Sequence, residues 1–342
     1  MNFDIIVVGS GPGGYVTAIR AAQLGYKVAV VERESLGGIC LNWGCIPTKA
    51  LLKSAQVFNY IQHAKDYGIT VGESAVDFDV VIRRSRDVAN GMSKGVSFLM
   101  KKNKITVIMG TAKLMAANTV EVTDADGKKT NYQAPHIILA TGGRSRELPQ
   151  LRQDGQKIIG YREAMSLKTA PKSMVIIGSG AIGVEFAYFY HSIGTKVTLV
   201  EYMPNVVPIE DEDVSKELEK QYKAMGITVL TNTTAEKVDT TGKNCQVSLK
   251  NNGTGATQIV ECDVVLSAVG VTPNTENLGL ETLGIQTDRG FVITDEYYHT
   301  NVTGVYAIGD IIRVNNAPHP ALAHVASAEG IICVEKIAGH HP

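Results

Sequence analysis

The sequence of 342 residues predicts an α/β fold that contains two similar domains, each built on a parallel sheet. Two observations predict this fold. A unit of strand, glycine-rich turn, helix, strand and acidic residue occurs twice, with the same spacing in both halves of the chain. A polar stretch with the pattern of hairpins follows each unit and leads into a strand that ends in small residues. The repeat indicates that one domain design is used twice.

The first unit occupies the beginning of the chain. An apolar run typical of a buried strand is followed by the turn G-S-G-P-G-G, a helical pattern and a second strand. This order is the context in which a G-x-G-x-x-G turn binds a dinucleotide, whereas the same glycines alone would be weak evidence. The predicted elements are a strand at residues 3–8, the turn at 9–14, a helix at 15–24 and a strand at 27–31.

The glycines of this turn have different tasks in a dinucleotide site. Gly9 makes the tight turn, Gly11 lets a pyrophosphate approach the backbone, and Gly14 lets helix and strand pack closely. The N-terminus of the helix faces the phosphates. Glu32, 23 positions after Gly9, is placed to accept hydrogen bonds from a ribose.

The second unit repeats this arrangement in the middle of the chain. Its turn reads G-S-G-A-I-G, and the distance from Gly178 to Glu201 is again 23 positions. Gly180 and Gly183 take the positions of the second and third glycines. The predicted elements are a strand at residues 174–177, the turn at 178–183, a helix at 184–193 and a strand at 196–200.

Further segments extend the repeat. Each half continues through a hairpin-rich stretch to a strand that ends in small residues, A-T-G-G in the first half and S-A-V-G in the second. A later strand ends at an acidic residue, for which a loop cap is the alternative role. The segments are the hairpin stretches 111–132 and 237–260, the strand ends 140–143 and 267–270, a linker at 149–172, and residues 301–310 ending at Asp310.

Composition and charge indicate a soluble, globular chain. Formal net charge is -1 and no block of like charges occurs, so nothing indicates nucleic acid or a membrane surface as a partner. No segment approaches the roughly 18 apolar residues of a membrane span. The first residues leave no room for a secretory or transit peptide. Three of the five cysteines are isolated, which argues against a secreted disulfide framework and predicts a cytoplasmic protein.

The other two cysteines lie in the glycine-rich run G-G-I-C-L-N-W-G-C-I-P-T-K at residues 37–49. In a regular helix, Cys40 and Cys45 would be separated by a rise of roughly 7.5 Å, with their side chains pointing apart. A disulfide needs Cα atoms within about 7 Å. The segment must therefore be irregular, and Gly44 relaxes the backbone while Pro47 suits the first turn of a helix.

Three roles are open to this pair. A helix N-terminus at Cys45 and a positive charge one turn later at Lys49 favour a thiolate. A zinc site needs a second ligand pair at metal-site spacing, and the sequence has none, so no metal is expected. An inert buried pair has no need of the lysine. A reversible dithiol/disulfide couple is favoured, and beside two nucleotide sites it indicates FAD and a nicotinamide nucleotide as cofactors.

Together these motifs resemble the flavin-dependent pyridine nucleotide-disulfide oxidoreductases, over essentially all 342 residues. The cysteine run is most similar to that of the dihydrolipoamide dehydrogenase branch. The resemblance implies two Rossmann-like FAD/NAD(P)-binding domains with three-layer ββα architecture, and NAD-dependent dihydrolipoyl dehydrogenase activity. It also rests on the runs G-S-G-A-I-G-V-E-F, A-T-G-G, G-V-Y-A-I-G-D and A-L-A-H-V-A-S-A-E-G.

The resemblance implies roles for individual residues. Cys40 would exchange with the substrate, Cys45 would lie against the flavin, and Lys49 would meet the flavin ring. Glu185 would pair with that lysine, a surface carboxylate being the alternative. The residues implied for FAD are Gly9, Gly11, Gly14, Glu32, Lys49, Ala112, Thr141, Gly142, Asp310, Ala321, Leu322, Ala323 and His324, and those implied for NAD are Gly178, Gly180, Gly183, Glu201 and Gly270.

Glu201 also predicts which nicotinamide nucleotide is used. A carboxylate hydrogen-bonds a ribose 2'-hydroxyl but repels a 2'-phosphate, and no arginine occurs at residues 202–213 to bind one. NAD is therefore predicted over NADP, which argues against glutathione reductase and the large thioredoxin reductases. Trp43 departs from the smaller or polar residue common in the family, and it either alters access to the cysteines or simply packs.

The resemblance implies three segments: an FAD-binding domain with the redox disulfide at 1–148, an NAD-binding domain at 149–271, and a segment at 272–342 that completes the FAD site. Family members continue into a domain that forms the homodimer and supplies a His-Glu base. This domain is expected to be absent from the chain, and His340 and His341 are not that base. Lipoamide turnover would then be impaired and mainly NADH-to-flavin (diaphorase) activity retained.

The implied partners are the lipoamide and dihydrolipoamide of 2-oxo acid dehydrogenase or glycine cleavage complexes. Two other functions stay open. Another FAD disulfide reductase, acting on mercuric ion or a small disulfide, would share the same motifs. A non-catalytic fragment that binds FAD and NAD would share the nucleotide sites without turnover.

Overall fold

The structure, a computed structural model, describes residues 2–317 and 319–342. The chain forms two compact units, each assembled from separate segments. The first unit consists of residues 2–45, 89–144 and 272–342, and the second of residues 46–88 and 145–271. The predicted domain boundaries at residues 148 and 271 stay predictions.

Helices of four to 25 residues occur in the described part of the chain. Short 3-10 turns lie at Ala64–Tyr67, Pro149–Leu151, Glu281–Leu283 and Gly309–Ile311. The helices are α1 (Pro12–Gln23), α2 (Gly38–Trp43), α3 (Cys45–Gln62), α4 (Phe78–Lys102), α5 (Tyr161–Ala164), α6 (Ala181–Ser192), α7 (Glu212–Met225) and α8 (Ala323–Ile337).

The strands are short, as is usual in α/β domains. They are β1 (Ile5–Val8), β2 (Val28–Glu32), β3 (Thr106–Met109), β4 (Thr111–Ala116), β5 (Thr119–Thr123), β6 (Lys129–Gln133), β7 (His136–Leu139), β8 (Gly143–Ser145), β9 (Ile158–Ile159), β10 (Ser173–Ile177), β11 (Lys196–Val200), β12 (Thr228–Leu230), β13 (Thr233–Asp239), β14 (Cys245–Asn251), β15 (Thr257–Cys262), β16 (Val264–Ser267), β17 (Val271–Pro273), β18 (Thr287–Asp288), β19 (Phe291–Thr294), β20 (Val305–Ala307) and β21 (Ile312–Val314).

The first unit contains a parallel sheet with the order β20-β7-β1-β2-β3. β1 is the central strand, and all four of its residues are buried because parallel strands are covered on both faces. Its register places Ile6 between Ala29 and Ile137. α1 begins at Pro12, earlier than the predicted residue 15, since proline is accommodated in the first turn of a helix.

The second unit contains a parallel sheet with the order β12-β11-β10-β16-β9. Its four repeated strands correspond to those of the first sheet, with β10 in the place of β1. The predicted α/β fold with two parallel sheets is confirmed. The fifth strand lies outside the repeat in both sheets: β20 follows the second copy in sequence, and β9 precedes it.

The prediction that residues 149–172 form a linker is partly wrong. This segment supplies β9, whose Ile158 and Ile159 pair with β16 at the edge of the second sheet. The segment also contains α5. The two-residue strand was too short for a periodic pattern to reveal it.

Each unit also contains a three-stranded antiparallel sheet, β4-β5-β6 in the first and β13-β14-β15 in the second. The predicted hairpin-rich stretches are confirmed. Both sheets have a register shift in the first strand, between Leu114 and Ala116 and between Ala235 and Lys237. The internal repeat thus includes an irregularity in the first strand of each antiparallel sheet, β4 and β13.

α8 packs against α1 beside the first glycine turn. Small residues allow the close approach, with Gly13 facing Ala326 and Gly330 facing Thr17. Arg20 of α1 donates to Glu335 Oε1 of α8 through two nitrogens, at 2.9 and 2.6 Å. The C-terminal segment is thereby fixed on the helix that follows the glycine turn.

Candidate functional site

The two glycine turns have the geometry that their spacing predicts. Gly9 has φ +104°, and a Cβ built on it would overlap the carbonyl oxygen of Ala140 at the end of β7. A Cβ on Gly14 would overlap the carbonyl oxygen of Gly9, which makes α1 and β1 pack without room for a side chain. Gly178 and Gly183 repeat these contacts with Ala268 and with Gly178 itself.

Gly11 and Gly180 are different, because they face open space. No heavy atom of the described residues lies within 4 Å of a Cβ built on either glycine. They are the N-cap residues of α1 and α6, where the first backbone N-H groups of a helix lack intrahelical partners. Open space beside these donors fits the pyrophosphate of a dinucleotide in both units.

The acidic residue at the end of β2 is held from two sides. Glu32 is buried, and its Oε2 accepts hydrogen bonds from Ser10 N at 3.0 Å and Ser10 Oγ at 2.6 Å. Its Oε1 accepts from Glu34 N at 2.8 Å. A carboxylate has roughly four acceptor positions, so these donors from the described chain leave one on Oε1 for a ribose hydroxyl.

The second unit repeats this arrangement atom for atom. Glu201 Oε2 accepts from Ser179 N at 2.8 Å and from Ser179 Oγ at 2.7 Å. Its Oε1 accepts from Met203 N at 2.9 Å. Glu201 is also buried, so a ligand phosphate beside it would meet an unscreened negative charge.

The two serines were missed in the sequence reasoning. Ser10 and Ser179 are both fully buried and both stand between the first and second glycines of their turns. A signal was present, since G-S-G occurs in both copies while the following residues differ. The motif was interpreted through its glycines, so the side chain between them was overlooked.

The cysteine run forms two helices instead of one. Cys40 is half-buried in α2, and Cys45 is the exposed first residue of α3. Gly44 alone separates the helices, and a Cβ built on it would lie 3.4 Å from Cys40 Cα. The predicted break at Gly44 is confirmed, since α2 ends at Trp43 and α3 begins at Cys45.

α2 begins directly on the first glycine turn. Gly37 N donates to Ser10 O at 3.0 Å, and Gly38 packs so closely on Gly11 that an added Cβ would lie 2.6 Å from Gly11 Cα. Tyr15 of α1 faces the same segment: burial raises the pKa of its phenol, and nearby Cys40 adds to the rise. The cysteine segment and the first nucleotide turn therefore form one structure.

Side chains hold this segment in place. Asn42 Nδ2 donates to Leu36 O at 3.0 Å and to Gly38 O at 2.9 Å. Trp43 Nε1 donates to Glu34 Oε1 at 3.1 Å, and Glu34 N in turn bonds Glu32. Through Glu34, Trp43 thus connects the cysteine helix with the Glu32 carboxylate, which is more specific than simple packing.

In the second unit, Lys49 Nζ of α3 lies 2.5 Å from Glu185 Oε1 of α6. The lysine side chain is 61% exposed and the glutamate 29% exposed, so water screens this ion pair. Its contribution to stability is small, on the order of 1 kcal/mol or less. The pair is better explained as a means of directing the ammonium group.

The A-T-G-G strand end in the first unit is tied to residues after β17. Thr141 Oγ1 donates to Asn274 O at 2.7 Å, and Asn274 Nδ2 donates to Thr141 O at 3.0 Å. Asn274 N also donates to Gly142 O at 2.8 Å. Asn274, which the sequence reasoning did not single out, therefore sets the shape of this turn.

The remaining predicted residues lie in both units. Asp310 is half-buried in the 3-10 turn after β20; burial raises its pKa, nearby Glu329 raises it further, and His319 opposes the rise. Ala112 lies in β4 of the first unit. Gly270 follows β16 in the second unit with φ +105°. Residues 321–324 are at the N-terminal end of α8.

Neither a metal cluster nor a membrane span is evident in the described structure. Among residues 2–317 and 319–342, no three His, Cys, Asp or Glu side chains are grouped as metal ligands. None of the helices in the same ranges combines the length and apolar composition needed to cross a bilayer.

The cysteines differ sharply in exposure, and this predicts how many of the five thiols react in the folded protein. Cys245, Cys262 and Cys333 are buried, and burial raises the pKa of each, that of Cys262 to about 12. Since the thiolate is the reactive form, these three should stay unreactive in the folded protein up to pH 9. After reduction, titration with a chromogenic disulfide is expected to detect two rapidly reacting thiols in the folded protein, those of Cys40 and Cys45. In the unfolded protein all five thiols should react.

Replacing Cys45 with serine should reduce the number of rapidly reacting thiols in the folded protein to one. A third thiol that reacts as fast as the first two in the folded protein would contradict the burial of the other cysteines.

Comparison with known proteins agrees with this geometry. A sequence model of the family described as pyridine nucleotide-disulphide oxidoreductase matches residues 3–330. A dihydrolipoyl dehydrogenase of Rhizobium etli is 48% identical, over 99% of this chain and 72% of its own length. One of Zymomonas mobilis is 45% identical, over 99% of this chain and 71% of its own length.

The crystal structure of LpdA from Mycobacterium tuberculosis superposes with a TM-score of 0.89 at 29% identity, covering 98% of this chain and 72% of that one. Dihydrolipoyl dehydrogenases use FAD and NAD(H). Glycine turns followed by an acidic residue are the features that a dinucleotide-binding unit uses. The chain belongs to the pyridine nucleotide-disulphide oxidoreductase family.

Proposed function

We propose that this protein oxidises dihydrolipoamide with NAD⁺, using FAD and a reversible Cys40-Cys45 disulfide. The observation that carries the proposal is the attachment of α2 to the first glycine turn, where Gly38 packs on Gly11. This attachment places a cysteine pair within the same structure as a dinucleotide site. The names of the similar proteins support the choice of substrate.

The reaction balances in electrons and protons. Dihydrolipoamide has two thiols, and their conversion to a disulfide releases two electrons and two protons. The Cys40-Cys45 disulfide accepts these electrons and becomes a dithiol through a mixed disulfide with the substrate. NAD⁺ finally receives a hydride, and one proton is released. Bound FAD supplies the two-electron transfer between the dithiol and the nicotinamide.

The chain's own residues would have separate tasks. Cys40 would attack or release the substrate sulfur, and Cys45, at the N-terminus of α3, would be stabilised as a thiolate. Lys49 follows one turn later, and Glu185 directs its ammonium group. Residues proposed to hold FAD are Gly9, Gly11, Gly14, Glu32, Ala112, Thr141, Gly142, Asp310 and 321–324, and those for NAD are Gly178, Gly180, Gly183, Glu201 and Gly270.

The lipoyl groups of 2-oxo acid dehydrogenase or glycine cleavage complexes present such a dithiol, and we propose them as partners. The cytoplasmic location predicted from the sequence belongs to the same proposal, whereas the sequence left the oligomeric state of this chain open. Sedimentation of the purified protein would determine that state.

A substrate comparison tests the activity. Lipoamide, glutathione disulfide and mercuric ion would be compared as acceptors with NADH and with NADPH. We expect lipoamide with NADH to be preferred by at least about tenfold in kcat/KM. Preference for either other acceptor would instead identify another reductase of the family. Yellow protein that NADH does not bleach would support a non-catalytic binding protein.

The buried serines give a prediction in which each variant is the control for the other. Ser179→Ala removes one hydrogen bond to the Glu201 carboxylate, which is worth on the order of 1.4 kcal/mol, so the KM for NADH should rise about tenfold. FAD content should not change. Ser10→Ala should instead weaken FAD binding about tenfold, measured by flavin fluorescence, with the KM for NADH unchanged in FAD-saturated protein. Equal effects of both variants on both nucleotides would refute the assignment.

A further inference from the structure

Glu329 is an ionisable residue in the interior of the first unit; it belongs to the run A-L-A-H-V-A-S-A-E-G, but the motif assigned it no role. It lies on α8 and is 2% exposed. A buried carboxylate costs several kcal/mol unless its charge and its lone pairs find partners. An apolar residue would pack α8 against the unit without this cost. The acid therefore has a task beyond packing.

Its two oxygens have different partners. Oε2 accepts a hydrogen bond from Gly309 N at 2.6 Å, across 20 positions of the chain. Oε1 lies 2.5 Å from His319 Nε2, as an ion contact that is not aligned as a hydrogen bond. His319 is itself largely covered, with a side-chain exposure of 14%. The carboxylate thus joins α8 to two separate loops.

The first of these loops carries Asp310. Gly309 has φ +74°, a left-handed conformation, and begins the 3-10 turn Gly309–Ile311. A left-handed residue at the start of a single turn leaves its N-H directed away from the turn itself. Because Glu329 accepts this N-H, it fixes the direction from which the backbone enters Asp310.

Other ionisable groups surround Glu329. Asp310 faces it, and the proximity of Glu329 contributes to the raised pKa of Asp310. The other groups near the carboxylate, Tyr298 and Cys333, are held neutral because burial raises the pKa of each. Two ionised carboxyl groups this close would repel one another. The side chain that contacts Glu329 Oε1 is His319.

We infer that Glu329 is a positioning residue for FAD: held by His319 on one oxygen, it fixes the Gly309–Ile311 turn with the other, in the shape that lets Asp310 serve the flavin site. The inference depends on the proposed function, in which Asp310 holds FAD. Glu329 does not itself need to touch the cofactor.

The test compares variants by FAD affinity and not by turnover. Glu329→Leu removes the acceptor for Gly309 N, and we expect FAD binding to weaken at least about thirtyfold. Glu329→Gln keeps an oxygen for that N-H and should stay within about threefold of the parent. The dissociation constant would be measured by flavin fluorescence on reconstituted apoprotein, with visible circular dichroism of the bound flavin as the signature of its environment.

Glu335→Leu is the matched control on the same helix. It removes the ion pair with Arg20 of α1 but touches neither Gly309 nor His319. Because it removes a contact between α1 and α8, it should lower the melting temperature of the apoprotein, while FAD affinity stays within about twofold of the parent value. Equal loss of FAD affinity in Glu329→Leu and Glu335→Leu would show that only helix packing matters and would overturn the inference.

Variants of His319 provide a second, independent experiment in case Glu329→Leu does not fold. His319→Asn removes the side chain that contacts the buried Glu329 Oε1, so FAD affinity should fall about tenfold. In the Glu329→Gln background the same change should have little effect, because the carboxylate that His319 contacts is already gone. An equal loss in both backgrounds would refute the role of His319. A parent protein that binds no FAD would refute the proposed function, whereas one that binds FAD equally well in every variant would refute this inference alone.

Discussion

Replacing Cys45 with serine is expected to lower lipoamide turnover at least about a thousandfold. A serine hydroxyl does not form a disulfide, so the couple with Cys40 is lost, and removal of a covalent nucleophile commonly costs this much or more. Reduction of an artificial acceptor by NADH should stay within about threefold, since that path needs no disulfide. Both activities would be measured on one preparation.

Controls for this variant separate the two cysteines. Cys262→Ala, at a buried cysteine in β15, should keep both activities within about twofold. Cys40→Ser keeps the Cys45 thiolate and should show a permanent long-wavelength absorbance band between thiolate and flavin, which Cys45→Ser should lack. A band in Cys45→Ser would exchange the roles of the two residues. Lipoamide turnover above a tenth of the parent value in Cys45→Ser would remove the disulfide from the reaction.

Two alanine substitutions in the second glycine turn should differ sharply in their effect on stability. A Cβ on Gly183 would overlap the backbone oxygen of Gly178, so either α6 or β10 must shift. We expect Gly183→Ala to lower the free energy of unfolding by about 2–4 kcal/mol and reduction by NADH at least about a hundredfold. Thermal unfolding and stopped-flow reduction would measure these losses.

Gly180→Ala is the comparison. Its φ of -67° suits alanine, and the added methyl group meets no atom of the described residues within 4 Å. Stability should stay within about 0.5 kcal/mol, yet the KM for NADH should rise at least about tenfold because the methyl group fills the room for a pyrophosphate. Unchanged NADH binding in Gly180→Ala would move the pyrophosphate away from this turn. FAD content should be unaltered, since the first turn is intact.

Sequence alone was enough for the parts of the site that are contiguous in the chain. The roles of Gly9 and Gly14 follow from local backbone geometry and from the alternation of strand and helix, and the structure agrees on both. The break at Gly44 and the helix start at Cys45 also follow from neighbouring residues. Glu32 and Glu201 were found because a fixed spacing brings them back to the turn.

Contacts between residues that are far apart in the sequence could not be predicted in this way. The fifth strands β20 and β9 come from outside the repeat. A strand within residues 301–310 was predicted but its place beside β7 was not, and β9 has only two residues and shows no period. The bond from Gly309 to Glu329 and the attachment of Gly38 to Gly11 join residues 20 or more positions apart. Periodicity and turn chemistry record what a residue does with its neighbours in sequence. Which distant side chain accepts a buried N-H depends on how the strands are ordered and how the helices pack, and this became known from the folded chain.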